Sequence, residues 1–243
     1  MGAMSGKVAV ITGASRGIGR GIAIAFARQG SALVLTARGA DALESVAGEC
    51  LELGAEAVFL PGDIADEVHV DALFELLRNR YGRLDTLVNN AGAFDGGALD
   101  TFSLEAWDRV IATNLRGPFL CTRAALQMMK GQKHGRIINI GSISAQRIRP
   151  QSAAYSTSKH GLWGLTQVTA LEGREYGVTC CCLHPGNIAV ERRQTSSKVE
   201  DEEPMMSVAD LAEVALLMAT LPAHVEMLEA IVLPRDQLYV GRG

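Results

Sequence analysis

The chain of 243 residues is 48% apolar and 21% charged, with 23 basic against 27 acidic side chains and a net charge of −4. That balance excludes nucleic-acid binding through a basic face, and the apolar content excludes a disordered chain. No run approaches the ~18 consecutive apolar residues of a membrane span, and the length suits one large α/β domain that needs no disulfide or metal staple.

From the N-terminus, Met1 to Ser5 lack the apolar stretch of a secretory signal, and residues 1–4 read as a cloning remnant ahead of one domain over 1–243. Short apolar runs then recur at Val8–Ile11, Leu33–Leu35, Ala57–Leu60, Leu84–Val88, Ile137–Ile140, Val178–Leu183 and Leu228–Leu233. Their near-continuous hydrophobicity predicts strands covered on both faces, as in a parallel sheet. Segments of helical spacing separate them, among them Asp66–Tyr81 and Ser152–Tyr176, so the alternation predicts a doubly wound sheet with helices on both faces. Asp41 with Glu44, and Ser207 with Asp210, have the spacing of a helix-starting capping box. Residues 187–206 lack periodicity and read as a substrate loop, with the acidic run Glu200 to Glu203 as a solvated face.

The first strand leads into Thr12-Gly13-Ala14-Ser15-Arg16-Gly17-Ile18-Gly19, and a helical pattern follows. Glycine allows the sharp strand-to-helix turn and lets the backbone approach a pyrophosphate, while the helix N-terminus presents free N–H groups to the anion. The spacing is GxxxGxG rather than GxGxxG, but its place between a first strand and a helix is the context a dinucleotide site requires. At the end of the second strand, where an Asp or Glu would take the ribose 2′-hydroxyl, stand Ala37 and Arg38. The missing carboxylate, with Arg38 and Arg16 able to pair with a 2′-phosphate, favours NADP(H) over NAD(H).

Taken in order, the turn Thr12–Gly19, Asn89-Asn90-Ala91-Gly92, Ser142, Tyr155-x-x-x-Lys159 and Pro185-Gly186 resemble the short-chain dehydrogenases/reductases, including their 3-oxoacyl-acyl-carrier-protein reductase-like members. The resemblance implies a Rossmann-type sheet of about seven strands, a nicotinamide cofactor and carbonyl/alcohol redox chemistry. It also implies that Asp63 and Ile64 meet the adenine, that Asn90, Ala91 and Gly92 line the adenosine ribose, and that Pro185, Gly186 and Ile188 flank the nicotinamide. A homotetramer or dimer is implied as well, through long helices around Leu104–Lys130 and Ser152–Tyr176, where Gly161 and Gly164 permit close approach.

Tyr155 and Lys159, four residues apart in a helical stretch, share one face. A phenol ionising near pH ~10 is a poor base at neutral pH, and a neighbouring ammonium favours its phenolate. Ser142, just beyond the fifth strand, is placed to donate to the substrate oxygen; Ser144 competes for that role, and the family register selects Ser142. Asn114 matches a fourth family position, where it holds a water that relays protons to Lys159. The expected function is an NADPH-dependent oxidoreductase acting on a ketone, alcohol or acyl thioester. A physiological alcohol dehydrogenase and a non-catalytic NADP(H)-binding regulator are the alternatives.

His69, His134, His160, His184 and His224 have no metal-ligand spacing, so no metal is expected. Cys50, Cys121 and Cys180 to Cys182 form no CxxC pair and read as small buried hydrophobes in a reducing, cytoplasmic setting. Arg147, Arg149, Arg192 and Arg193 border the expected substrate region and suit an anionic substrate, or else solvent. Two departures from the family stand out: Val190 replaces its common threonine, and the C-terminus after Val232 lacks its glycine-rich turn.

Overall fold

The computed structural model describes residues 2–191 and 203–239. Along these, β1 (Val8–Thr12), α1 (Gly17–Arg28), β2 (Ala32–Ala37), α2 (Ala40–Glu52), β3 (Ala57–Pro61), α3 (Glu67–Tyr81) and β4 (Thr86–Asn89) form the first half. The second half holds α4 (Leu104–Ile111), α5 (Gly117–Gln132), β5 (Gly135–Ile140), α6 (Ala153–Gly173), β6 (Val178–Pro185), α7 (Val208–Thr220) and β7 (Glu229–Val232). Every strand pairing is parallel, in the order β3-β2-β1-β4-β5-β6-β7. The chain winds outward from β1 through β3, then crosses back to β4 and winds the other way. That reversal opens a crevice at the C-terminal ends of β1 and β4.

The apolar runs are explained by two cores, one on each face of the sheet. Ile11, Leu35, Ile138 and Cys181 pack with residues of α1, α2 and α7. Val10, Val34, Ile137 and Cys180 pack with residues of α3 and α5. Consecutive strand residues thus enter opposite cores, and Cys180 and Cys181 are divided between them as side chains alternating on a strand must be. All five cysteines are buried. Phe26 and Phe74 anchor the two cores and are almost completely buried, each worth roughly 1.5–3 kcal/mol of apolar transfer.

Element ends follow hydrogen bonds that hydropathy does not report. Leu33–Leu35 extends to Ala32–Ala37 because Thr36 pairs with Leu60 and Ala37 with Pro61. Leu84 is buried but lies outside the ladder, its N–H going to the Gln132 side chain at 2.9 Å. The capping box at Ser207 and Asp210 is fully formed. The one expected at Asp41 is not: Gly39 precedes α2, no side chain caps it, and Asp41 lies within the first turn. The tail of β2 feeds helix directly through Arg38 and Gly39, so the helix starts two residues too early for Asp41 to cap it. The stretch 104–130 is likewise not one regular helix. A π-helical turn, Ala112–Arg116, separates α4 from α5, and Pro118 sits in the first turn of α5, where its missing N–H costs little. Met4, in the segment expected to be a remnant, is fully buried against the first core.

Candidate active site

The phosphate turn is built by backbone geometry. Gly13 and Gly17 have φ of +63° and +53°, the left-handed region that favours glycine. A Cβ on Gly19 would stand 2.2 Å from the Gly13 carbonyl oxygen, so Gly19 lets α1 pack onto the turn. Thr12 locks the turn to β4: its Oγ accepts from the N–H groups of Asn90 and Ala91 at 3.0 and 3.1 Å. The Asn90 amide donates to the carbonyls of Thr12 and Gly13 at 2.9 and 3.1 Å. Helix α1 begins at Arg16 with no side-chain cap and no acidic residue in its first turn, whereas Asp66, Ser103 and Ser207 cap α3, α4 and α7. The Glu191 carboxylate accepts the Gly17 N–H at 3.4 Å, the kind of group a helix N-terminus favours.

A cleft of about 560 Å³ opens above the strand ends. Its floor holds Gly13, Ser15, Arg16 and Ile18, and one wall holds Arg38, Asp63 and Ile64. Asn90, Ala91 and Gly92 border it, and Tyr155, Lys159 and Pro185 close its far end. Arg16 and Arg38 are exposed at its rim, and neither has an ion-pair partner among the described residues. Asp63 uses one carboxylate oxygen to accept the Ala65 N–H at 2.9 Å.

Helix α6 presents Tyr155 and Lys159 to this cleft. Lys159 is 5% exposed, and its ammonium donates to the Ile140 carbonyl at 2.8 Å and sits 5.6 Å from the centroid of the Tyr155 ring. Phe94 packs edge-on against that ring at 5.2 Å. Ser142 follows β5 beside the cleft, and its hydroxyl accepts the Ser144 N–H at 3.1 Å, capping the short 3₁₀ turn Ile143–Ala145. Asn114, on the π-helical turn, is fully buried. Its Oδ1 accepts from Ala93 N–H at 2.7 Å, and its amide donates to the Ala93 carbonyl and to Ser158 Oγ at 2.9 and 3.1 Å. Ser158 donates in turn to the Tyr155 carbonyl at 2.7 Å. Asn114 therefore ties the Ala93 loop to the helix that carries Tyr155.

Gly186 and Ile188, also expected at the site, are not among the residues that line the cleft. Gly186 donates its N–H to Val232, and Asn187 N–H reaches Gln237 Oε1, both at 2.8 Å. Ile188 is buried and bridges to Met206. Val190, the departure from the family, lines the cleft and would contact a Gly17 Cβ at 3.3 Å. The arginines expected near the substrate have local partners: Arg149 pairs with Glu203 at 3.6 Å, and the Arg147 guanidinium lies 4.9 Å over the Tyr239 ring. Arg192 and Arg193 lie outside the described residues, as does most of the loop 187–206. Gly161 gives room to Leu115 within the chain, while nothing stands within 4 Å of a Cβ on Gly164. No group of three or more potential metal ligands occurs among the described residues.

Sequence reasoning missed Thr12, His184 and Gln237. Thr12 falls inside the glycine turn, where attention goes to the glycines. His184 precedes Pro185-Gly186, a position readable only once the strand is placed against Ser142. Gln237 lies in the atypical C-terminal stretch and carries no signal of its own.

A parallel seven-stranded sheet with a glycine turn at its switch point and a Tyr–Lys pair opening into the same crevice defines a nucleotide-binding oxidoreductase class. The chain belongs to the short-chain dehydrogenase family, whose model matches residues 7–201, and it is an oxidoreductase of that family. It is 38% identical over 213 residues to a 3-oxoacyl-acyl-carrier-protein reductase of Synechocystis sp., covering 87% of this chain and 85% of the relative. A metagenomic short-chain oxidoreductase solved in complex with NADP superposes with a TM-score of 0.85 at 36% identity, covering 96% and 98% of the two chains. An alcohol dehydrogenase of Thermococcus sibiricus complexed with 5-hydroxy-NADP superposes with a TM-score of 0.87 at 30% identity, covering 95% and 97%. No helix among the described residues is long and apolar enough to cross a membrane.

Proposed function

We propose that the chain is an NADP(H)-dependent reductase of a ketone or 3-oxoacyl group, with Tyr155 as the general acid. The observation that carries this reading is the shared cleft: Tyr155 and Lys159 open into the same space as the glycine turn and Arg38. Gly13, Ser15, Arg16, Gly17, Ile18 and Gly19 would hold the diphosphate end of the cofactor. Arg38, with Arg16, would take the 2′-phosphate, Asp63 and Ile64 the adenine, and Asn90, Ala91 and Gly92 the ribose. Pro185, Gly186 and Ile188 would border the nicotinamide, which when bound supplies hydride to the substrate carbon or accepts it.

Tyr155 gives its phenolic proton to the carbonyl oxygen, and the Lys159 ammonium stabilises the negative charge left on the phenol. Ser142 donates a second hydrogen bond to that oxygen, its O–H being free to do so while its lone pair accepts the Ser144 N–H. Asn114 fixes the Ala93 loop and α6, and through them the position of Tyr155 and the water path to Lys159. The NADP-bound neighbour supports the choice of cofactor, and the Synechocystis relative supports the 3-oxoacyl class. Exposed Leu104, Phe119, Val168 and Leu171 on α4, α5 and α6 support a homo-oligomer.

The test is NADPH oxidation over a panel of ketones and 3-oxo esters and thioesters. The parent is expected to turn over at least one of these. Tyr155→Phe is expected to lose about a hundredfold or more in kcat while still binding NADPH. A parent that binds NADPH tightly yet reduces nothing in the panel would instead be a cofactor-binding regulator.

A further inference from the structure

The turn that carries Ser142 is held at both ends by side chains for which the mechanism has no other use. His184 comes from β6, immediately before Pro185-Gly186, and is completely buried. A Cβ on Gly141 would stand 2.6 Å from its Nδ1, so the chain ahead of Ser142 passes directly over the imidazole. Nδ1 lies 2.9 Å from the Ser142 carbonyl oxygen and 3.3 Å from the Ser142 nitrogen. A neutral imidazole has one N–H, and the shorter contact takes it: Nδ1–H donates to the Ser142 carbonyl. Burial holds His184 below the ordinary imidazole range, the Ser142 carbonyl and Glu229 oppose that shift, and Lys159 adds to it. The ring is therefore neutral at pH 7.

This assignment leaves Nε2 as a buried acceptor with no hydrogen-bond partner. The group facing it is Glu229 Oε1 of β7, 3.4 Å away and misaligned for a bond. Trp163 of α6 closes the pocket edge-on, 5.8 Å from the imidazole centroid. The same Glu229 oxygen accepts the side-chain amide of Gln146, which ends the 3₁₀ turn that Ser142 begins. Gln146 also accepts the Tyr239 hydroxyl at 2.6 Å, which joins the C-terminal segment to the assembly. One end of the turn is thus bonded to the imidazole, the other to the carboxylate, and the two holders face each other.

We propose that His184 and Glu229 are positioning residues that clamp the two ends of the turn bearing Ser142 and so aim its hydroxyl at the reacting oxygen. The catalytic consequence rests on the function proposed above, whereas the clamp itself does not. A turn of three residues has few hydrogen bonds of its own, so loss of either holder frees it. Glu229→Gln keeps the acceptor that Gln146 needs, its amide oxygen standing in for the carboxylate oxygen at the end of the turn.

The experiment measures amide hydrogen exchange in segment 142–146 of the full chain, alongside NADPH affinity and kcat with ethyl acetoacetate as the 3-oxo probe. In His184→Leu and Glu229→Leu, exchange in 142–146 is expected to rise at least tenfold, with that of 13–19 unchanged. In the same variants kcat falls at least tenfold, and NADPH affinity stays within twofold. His184→Asn, whose amide can donate to the Ser142 carbonyl, restores both readouts towards the parent, and Glu229→Gln matches the parent's exchange. Unchanged exchange in both leucine variants would overturn the clamp, as would His184→Asn behaving like His184→Leu. A fall in kcat matched by an equal loss of NADPH affinity would also overturn it, by showing general loosening. Should His184→Leu not fold, the Glu229 pair decides alone, since Glu229 is only half-buried. A parent inactive on every carbonyl, with the exchange pattern intact, would sink the proposed function and leave the clamp standing.

Discussion

Arg38 follows directly on β2 and is the side chain proposed above to take the 2′-phosphate. It is exposed, it borders the cleft, and the small residue before it, Ala37, leaves space at the strand end. A guanidinium there adds a charge-assisted, bidentate bond to a phosphate dianion, and such bonds exceed neutral hydrogen bonds about twofold. A carboxylate at the same place would repel that dianion and accept from a free ribose hydroxyl. Arg38→Asp is therefore expected to lower kcat/KM for NADPH by at least tenfold, a loss of about 1.4 kcal/mol or more, and to raise it for NADH. Kinetics with both cofactors decide the matter, and an unchanged NADPH/NADH ratio would assign the 2′-phosphate to Arg16 or to neither. Asn114 poses a different kind of question at the same scale. Both polar atoms of its side chain are already bonded within the chain, so the part proposed for it in proton transfer would act through the position of Tyr155.

Among the elements, the strands were legible because burial on both faces writes itself as uninterrupted hydrophobicity, and the glycine turn because its geometry admits few residues. The helix starts at Ser207 and Asp66 were legible because a side chain performs the capping there. The start of α2 was not, since Gly39 enters it without a cap. The break at Asn114 was hidden because a π-helical turn keeps helical hydrophobic spacing on either side. The Tyr155–Lys159 pair came from the family resemblance, helical periodicity adding only that the two share a face, but the clamp behind Ser142 joins residues 142, 184 and 229, whose proximity exists only in the folded sheet. A further consequence belongs to this scale. Val168 and Leu171 are three residues apart on one face of α6, 52% and 62% exposed, and Leu104 of α4 is 73% exposed. Apolar side chains at that spacing form a stripe suited to a second helix. If the stripe joins copies of the chain, light scattering will give the parent a mass of at least two chains, and Val168→Asp with Leu171→Asp will reduce it to one. A monomeric parent would refute the oligomer.

For the molecule as a whole, the buried imidazoles and thiols set the range of pH over which the fold is stable. His69, His134 and His184 are each held below the ordinary imidazole range, in every case chiefly by burial. Asp66 and Asp63 oppose the shift at His69. Asp85 opposes it at His134, where Lys7, Arg83 and Arg136 reinforce burial. The unfolded chain therefore binds protons that the native state refuses once the pH drops below about 6.5, and stability falls with pH from there. On the alkaline side the thiols act in the opposite sense. Burial pushes Cys50 up to about 11 and Cys121, Cys181 and Cys182 up to about 12, so the native state keeps protons that the unfolded chain releases. Stability then declines as pH rises beyond about 8.5–9. Glu67 and Asp210, held below the usual carboxylate range by Arg123 and Ser207, are exposed and titrate at lower pH, outside this window. Thermal melts under reducing conditions should accordingly show a plateau from about pH 7 to 8.5, with the melting temperature lower by several degrees at about pH 5.5. His184 is the only one of the three histidines with no exposure, so His184→Asn should flatten the acid limb more than a change at His69 or His134. A melting temperature that stays level down to about pH 5.5 would mean that these imidazoles gain protons in the native state as readily as in the unfolded chain.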